Sequence, residues 1–171
     1  MTHAKNKTRW CLKKAQKELE QNKKHRGLIK ITSDINGARK HIAKAEHNLS
    51  AINYFTEGGF SDWSMSAVFY CIYHCFLAIT IKLGYESRNQ ECTLALIKHL
   101  IEEEKVKLNE KFIVSLETHE DGEMHETNVI ERREFYTYGT TSYVNNQEEI
   151  NENIRLCKEC IDQTKKIIFN E

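Results

Sequence analysis

The eight residues Arg132 to Gly139, RREFYTYG, set two arginines beside three aromatic rings. Arginine carries a planar, permanently charged fork that matches the oxygens of a phosphate, and aromatic rings stack on nucleobases. Arg132, Arg133, Tyr136 and Tyr138 are therefore candidate ligand-binding residues, able to hold a phosphate or stack on a base. Cleavage at that phosphate would also require a group that moves protons near neutral pH, which is histidine's role. Tyrosine titrates near 10, too high for a base but suitable for a hydrogen bond to phosphate. His74 is a further candidate, although on an apolar helix the plainer reading is a hydrogen-bonded core histidine. The plainer reading of RREFYTYG is a helix end whose arginines pair with Glu131 and Glu134.

The other reactive residues point to packing. Cys71 and Cys75, in an apolar run, and Cys157 and Cys160, in a helical pattern, lack the paired tight turns of a structural zinc site and read as buried small hydrophobes. His119 and His125, in THEDGEMHE, read as part of a solvated acidic loop more readily than as metal ligands. No metal is expected. The sequence has no glycine-rich phosphate loop, GxSxG, HExxH or tandem CxxC, so it calls for no cofactor either.

The elements that must position these residues are helical. The chain has 171 residues, no proline and seven glycines, which suits one all-α domain. After Thr32, Ser33 and Asp34, any of which can cap a helix, Ile35, Ala38, Ile42, Ala45, Leu49 and Ile52 recur at steps of three and four. EGGF ends that helix. Ser61 or Asp62 opens the next, which is apolar on nearly every side from Ala67 to Ile81 and so belongs at the centre of a bundle. Gly84 stops it, YESRNQ reads as a loop, and a shorter helix carries Leu94, Leu96, Ile97 and Leu100. An acidic loop around Glu120 to Glu123 parts two further helical pieces. The last helix has the cleanest stripe: Ile150, Ile154, Cys157, Ile161, Thr164 and Ile168.

The longest apolar stretch, AVFYCIYHCFLAI, reads as too short to span a bilayer, and MTHAKNKTRW lacks the apolar core of a signal peptide. The expected location is the cytoplasm, with no membrane partner and all six cysteines reduced. Net charge is zero, but residues 1–30 hold ten Lys or Arg against two Glu, net +8, leaving 15 against 23, net −8, for the rest. Such asymmetry fits a basic arm that meets an acidic surface or nucleic acid, and equally a soluble tail that happens to be basic. Its helix from Lys7 to Lys24 has Trp10, Leu12 and Leu19 for one narrow docking stripe.

Several landmarks in order resemble the HEPN (higher eukaryotes and prokaryotes nucleotide-binding) domain family. A long amphipathic helix, ARKHIAKAEHNLSAINYF, comes first. A helix carrying small, aromatic and histidine residues follows, in Ser66, Ala67, Phe69, Tyr70, Tyr73 and His74, and ends at a glycine, Gly84. An arginine followed five residues later by Tyr-Gly, in Arg133, Tyr138 and Gly139, resembles one branch of the family, and a long helix closes the chain. The resemblance runs from about Ser33 onward. It implies an antiparallel bundle of about five helices (residues 32–171) behind a basic N-terminal extension (residues 1–31). It also implies a homodimer with its functional groove at the shared interface, and for many members a metal-independent ribonuclease toxin paired with a nucleotidyltransferase antitoxin. Active members of the family pair an arginine with a histidine, four to six residues lying between them, and the catalytic candidates this implies here are Arg133, Tyr138 and His74, with no assigned chemistry. None of the seven arginines here, Arg9, Arg26, Arg39, Arg88, Arg132, Arg133 and Arg155, has such a histidine; after Arg133 the three places hold Tyr138, Gly139 and Thr140. Three readings follow: a module that binds nucleotide or RNA, a ribonuclease with altered chemistry, and a structural dimerisation domain.

Overall fold

The computed structural model describes residues 2–117 and 128–169. The expected acidic loop, with His119 and His125, lies outside them. In chain order the elements are α1 (His3–Glu20), β1 (Leu28–Lys30), α2 (Ile35–Glu57), α3 (Ser61–Lys82), β2 (Tyr85–Ser87), α4 (Gln90–Glu102), α5 (Lys111–Val114), α6 (Val129–Tyr138) and α7 (Gln147–Phe169). The architecture is an all-α helical bundle. Five of the helices, α2, α3, α4, α6 and α7, are those the periodicity foretells, and α5 is a single turn. Part of YESRNQ, expected as loop, is instead strand β2, antiparallel to β1 with Leu28 opposite Ser87 and Lys30 opposite Tyr85. Three-residue strands are too short to show an alternating pattern. Gly84 enters β2 at φ +81°, a conformation that glycine adopts without steric cost.

Local chemistry explains the helix starts. Asp34 opens α2 by accepting the Gly37 N–H at 2.9 Å. Ser61, foreseen as a possible cap for α3, accepts instead from the Val144 backbone N–H at 2.8 Å and so anchors the segment between α6 and α7.

The chain divides into two compact units, and α2, α3 and α7 contribute residues to both. The first comprises Met1–His41, Phe76–Leu108 and Thr164–Glu171. Here α1 docks against α4 through Ala4, Thr8, Cys11 and Ala15, four small buried residues at steps of four, three and four. This corrects two expectations. Trp10 is not in the docking stripe and stands 51% exposed, because helices that approach this closely leave no room for an indole. Nor are all six cysteines reduced: Cys11 and Cys92 form a disulfide, their Cα atoms 5.8 Å apart, across 81 residues that no spacing rule could have joined. A Cβ at Gly27 would lie 2.5 Å from the Cys11 carbonyl oxygen, so only glycine lets the chain pass α1 there. Buried His25 places Nε2 3.1 Å from Glu86 Oε1. The basic N-terminal segment is thus packed helix and strand, not a loose tail.

The second unit comprises Ile42–Cys75 and Asn109–Gln163. Its core includes Ile52, Met65, Ile72, Phe112, Leu116 and Ile130. The α7 stripe contributes Ile150, Cys157 and Ile161, all buried, while Ile154 is half-buried. The four free cysteines, Cys71, Cys75, Cys157 and Cys160, are buried as the sequence suggests.

Helix α3 is, by length and composition, long and apolar enough to cross a membrane, contrary to the reading of its apolar stretch as too short. Yet 67% of its most apolar window is buried inside the protein. Val68, Ile72, Phe76 and Ile79 are fully covered, as in the central helix of a packed domain.

Candidate functional site

Helix α6 carries RREFYTYG, and a buried asparagine sets its position. Asn128 is 2% exposed, and its Oδ1 caps the helix by accepting from the N–H groups of Ile130 and Glu131, each at 3.0 Å. Its Nδ2 donates to the carbonyls of Val114, at 3.4 Å, and Glu117. One side chain therefore satisfies the start of α6 and ties it to the end of the α5 segment. At the other end, Gly139 N–H donates to the Phe135 carbonyl at 2.9 Å. A Cβ at Gly139 would collide with that same oxygen, which accounts for the glycine after Tyr138.

The two arginines face different surroundings. Arg132 is paired with Glu149 of α7, both side chains largely buried at 11% and 14% exposed. Its Nη2 also donates to Tyr136 Oη at 3.3 Å, and its guanidinium lies 5.4 Å from the Tyr136 ring. Burial raises the Tyr136 pKa and Glu149 adds to the rise, against the opposing effect of Arg132, so Tyr136 stays a neutral phenol. Of the residues named from the sequence as ligand-binding, Arg132 thus pairs with Glu149 and Tyr136 with Arg132.

Arg133 belongs to a groove of about 470 Å³ in the second unit. Helix α2 contributes His47, Asn48, Ala51 and Phe55 to its walls, α3 contributes Trp63, Ser66, Ala67 and Tyr70, and α6 contributes Arg133, Thr137 and Tyr138. The Arg133 guanidinium sits 4.2 Å from the centre of the Phe69 ring, a cation–π contact. Phe69 is itself backed by Tyr73, stacked at 5.7 Å and 16°. Among the described residues Arg133 forms one ion pair, with Glu134 at 3.5 Å, whose side chain is 49% exposed; such a pair is weak and exchangeable. Thr137 and Ser66 approach to 3.3 Å and join α6 to α3 along the groove.

The groove is lined for recognition of a flat, charged ligand. Trp63, Tyr70 and Tyr138 are 53%, 47% and 80% exposed, with rings available for stacking. Asn48 Nδ2 is buried there without a hydrogen-bond partner among the described residues, a donor open to an acceptor on a ligand. Among the described residues, no group of three or more His, Cys, Asp or Glu side chains is placed to hold a metal. His74 lies one helical turn beyond Tyr70 and is half-buried, outside the residues lining the groove.

A family model, the HEPN domain, matches residues 38–168. The chain belongs to the HEPN domain family. No curated protein and no solved structure matches it significantly. The match begins within α2, so α1 and the β1 strand precede the matched HEPN region. Within it, the small and aromatic residues of α3 acquire distinct tasks: Phe69 is the platform for Arg133, Ser66 bonds Thr137, and Tyr70 forms a wall. The sequence reading found Arg133 and Tyr138 but missed His47, Asn48 and Trp63. His47 follows Arg39 by eight residues, outside the spacing that marks an arginine–histidine pair, and only the packing of α2 brings it to the groove that holds Arg133.

Proposed function

We propose that this HEPN domain binds RNA or a nucleotide in the α2–α3–α6 groove, with Arg133 holding a phosphate and Trp63, Tyr70 and Tyr138 stacking bases. The observation that carries this reading is the Arg133 guanidinium, 4.2 Å from the Phe69 ring at the groove wall and, among the described residues, paired with one half-exposed carboxylate. A planar cation beside exposed rings suits a nucleotide better than a peptide, because it meets phosphate and base together. The unpartnered Asn48 amide adds a donor. The test is RNA and nucleotide binding by wild type, Arg133→Ala and Tyr138→Ala. Binding that is unchanged in Arg133→Ala overturns the proposal.

A second reading, a metal-independent ribonuclease, gains support from His47, which lines the same groove as Arg133. In this version His47 rather than His74 handles the proton. RNA incubated with chelator and wild-type protein reports it: cleavage lost in both Arg133→Ala and His47→Ala favours the enzyme, whereas intact RNA favours the binding module.

The same proposal includes a homodimer and a place beside a nucleotidyltransferase, in a toxin–antitoxin pair within the cytoplasm. Support for the dimer is the set of exposed rings on the second unit, among them Tyr54 at 76% and Phe60 at 60%, since exposed aromatics mark interaction surfaces. Light scattering tests the dimer, and co-purification with a nucleotidyltransferase encoded beside it tests the partner.

A further inference from the structure

Helix α1 presents a second surface with a composition of its own. Trp10, Lys13, Lys14, Lys17, Glu18 and Gln21 line a shallow cleft of about 290 Å³ on the first unit. The opposite side of α1 is locked by the Ala4–Thr8–Cys11–Ala15 stripe and by the Cys11–Cys92 disulfide. Its lysines are therefore carried on a fixed rod rather than a loose tail. Around the helix the acidic groups are already engaged: Glu91 holds Lys7 at 2.8 Å, Glu103 holds Lys5 at 3.6 Å, and Glu18 accepts the Arg26 backbone N–H at 2.5 Å. Lys13 and Lys17 have no ion pair among the described residues. Lys7 and Lys14 place their ammonium groups 5.0 and 5.3 Å from the Trp10 ring, which stays 51% exposed.

We infer that this face of α1 is a binding site for single-stranded RNA, in which Trp10 stacks on a base while Lys13, Lys14 and Lys17 follow the adjoining phosphates. The inference stands independently of the α2–α3–α6 groove. Three lysines against one glutamate in a cleft that also holds an exposed ring form the pairing that strand-tracking surfaces use: charge for the backbone and a π-face for any base. An anionic membrane is the less fitting occupant. A helix lying on a bilayer needs a broad apolar face to enter it, and the apolar side of α1 is packed against α4, leaving Trp10 and Leu19 as its large exposed apolar side chains. An acidic protein would use the lysines but would leave the indole without a role.

The chain has two tryptophans, one on each candidate surface, so each can be followed alone. In full-length Trp63→Phe protein, the fluorescence of Trp10 is titrated with a short single-stranded RNA at several salt concentrations. The expected result is quenching, with log affinity falling against log salt at a slope of about −2, since each of three phosphate contacts contributes about −0.7. Lys13→Glu with Lys17→Glu, both on the solvent side, should abolish the salt-dependent binding. In an Arg133→Ala background, where binding at the groove is removed, Trp10→Leu should weaken binding of a dye-labelled RNA, followed by fluorescence anisotropy, by about 5- to 150-fold, the range that loss of one stacked base produces. Arg133→Ala should leave the Trp10 quenching unchanged, which separates failure here from failure at the groove. No quenching by RNA, equal affinity after the charge reversals, or quenching by phosphatidylserine vesicles or polyglutamate but not RNA would each overturn the inference. Unchanged helical circular dichroism in the variants excludes unfolding as the cause.

Discussion

Adjacent arginines on one helix should fail in opposite ways. Arg132 is 11% exposed and faces Glu149 at 14%, and the pair leaves Arg132 Nε and Glu149 Oε1 buried without further partners. Arg132→Ala strands the Glu149 carboxylate in a largely dry site. Removing one member of a buried ion pair costs about 3–5 kcal/mol, and the partial exposure here puts the figure near the lower end, about 3 kcal/mol. For a chain of this size each kcal/mol moves the melting temperature by about 2–4 °C, so Tm should fall by about 6–12 °C. Arg132→Met with Glu149→Leu removes both charges and should recover most of the loss, because no carboxylate is left buried alone. Arg133→Ala gives up a cation–π contact and one exposed pair, about 1 kcal/mol, so Tm should move by no more than about 4 °C while RNA binding at the α2–α3–α6 groove, followed by Trp63 fluorescence in Trp10→Leu protein, disappears. Thermal denaturation and RNA titration on the same three proteins decide the matter. A Tm for Arg132→Ala within 2 °C of wild type, or a double variant less stable than the single one, refutes the reasoning about the buried pair. Loss of RNA binding in Arg132→Met with Glu149→Leu at full folding would show that Arg132 contacts the ligand after all.

Other consequences follow from the first unit and from the end of α6. Under denaturing, non-reducing conditions a thiol alkylator should label four cysteines of the six, and Cys92→Ala should lower stability by about 2–5 kcal/mol, as loss of a long-loop disulfide does; labelling of all six would exclude the bond. Burial alone would raise the Glu86 pKa, but hydrogen bonds from Arg88 and His25 outweigh it and hold the carboxyl below its ordinary 4.5. A depressed carboxylate stabilises the fold above its unfolded pKa and loses that contribution as pH falls through the folded value. The Tm gap between wild type and Glu86→Gln should thus be widest at neutral pH and close as the pH drops below about 4.5; a gap that widens on acidification contradicts the assignment. Gly139→Ala should destabilise by about 1–3 kcal/mol through its collision with the Phe135 carbonyl, measured by urea unfolding with unchanged m-value.

The sequence by itself determined the helical class and the helices that make it up. The α2 and α7 stripes and the uniformly apolar α3 are local periodicities, and a helix obeys local rules. The order of those helices with Arg133, Tyr138 and Gly139 also sufficed to place the chain beside the HEPN family. Tertiary structure alone decided what each residue does. Arg132 and Arg133 are chemically identical in sequence, yet about 100° of helical rotation sends one to Glu149 and the other to Phe69 and the groove. His47 shares that groove because the fold brings α2 and α6 to line it together, across more than eighty residues of chain. The Cys11–Cys92 bond and the β1–β2 pair are likewise long-range encounters, and no local pattern carries their coordinates. Periodicity records which side of a helix is buried; it holds no information about which other helix does the burying.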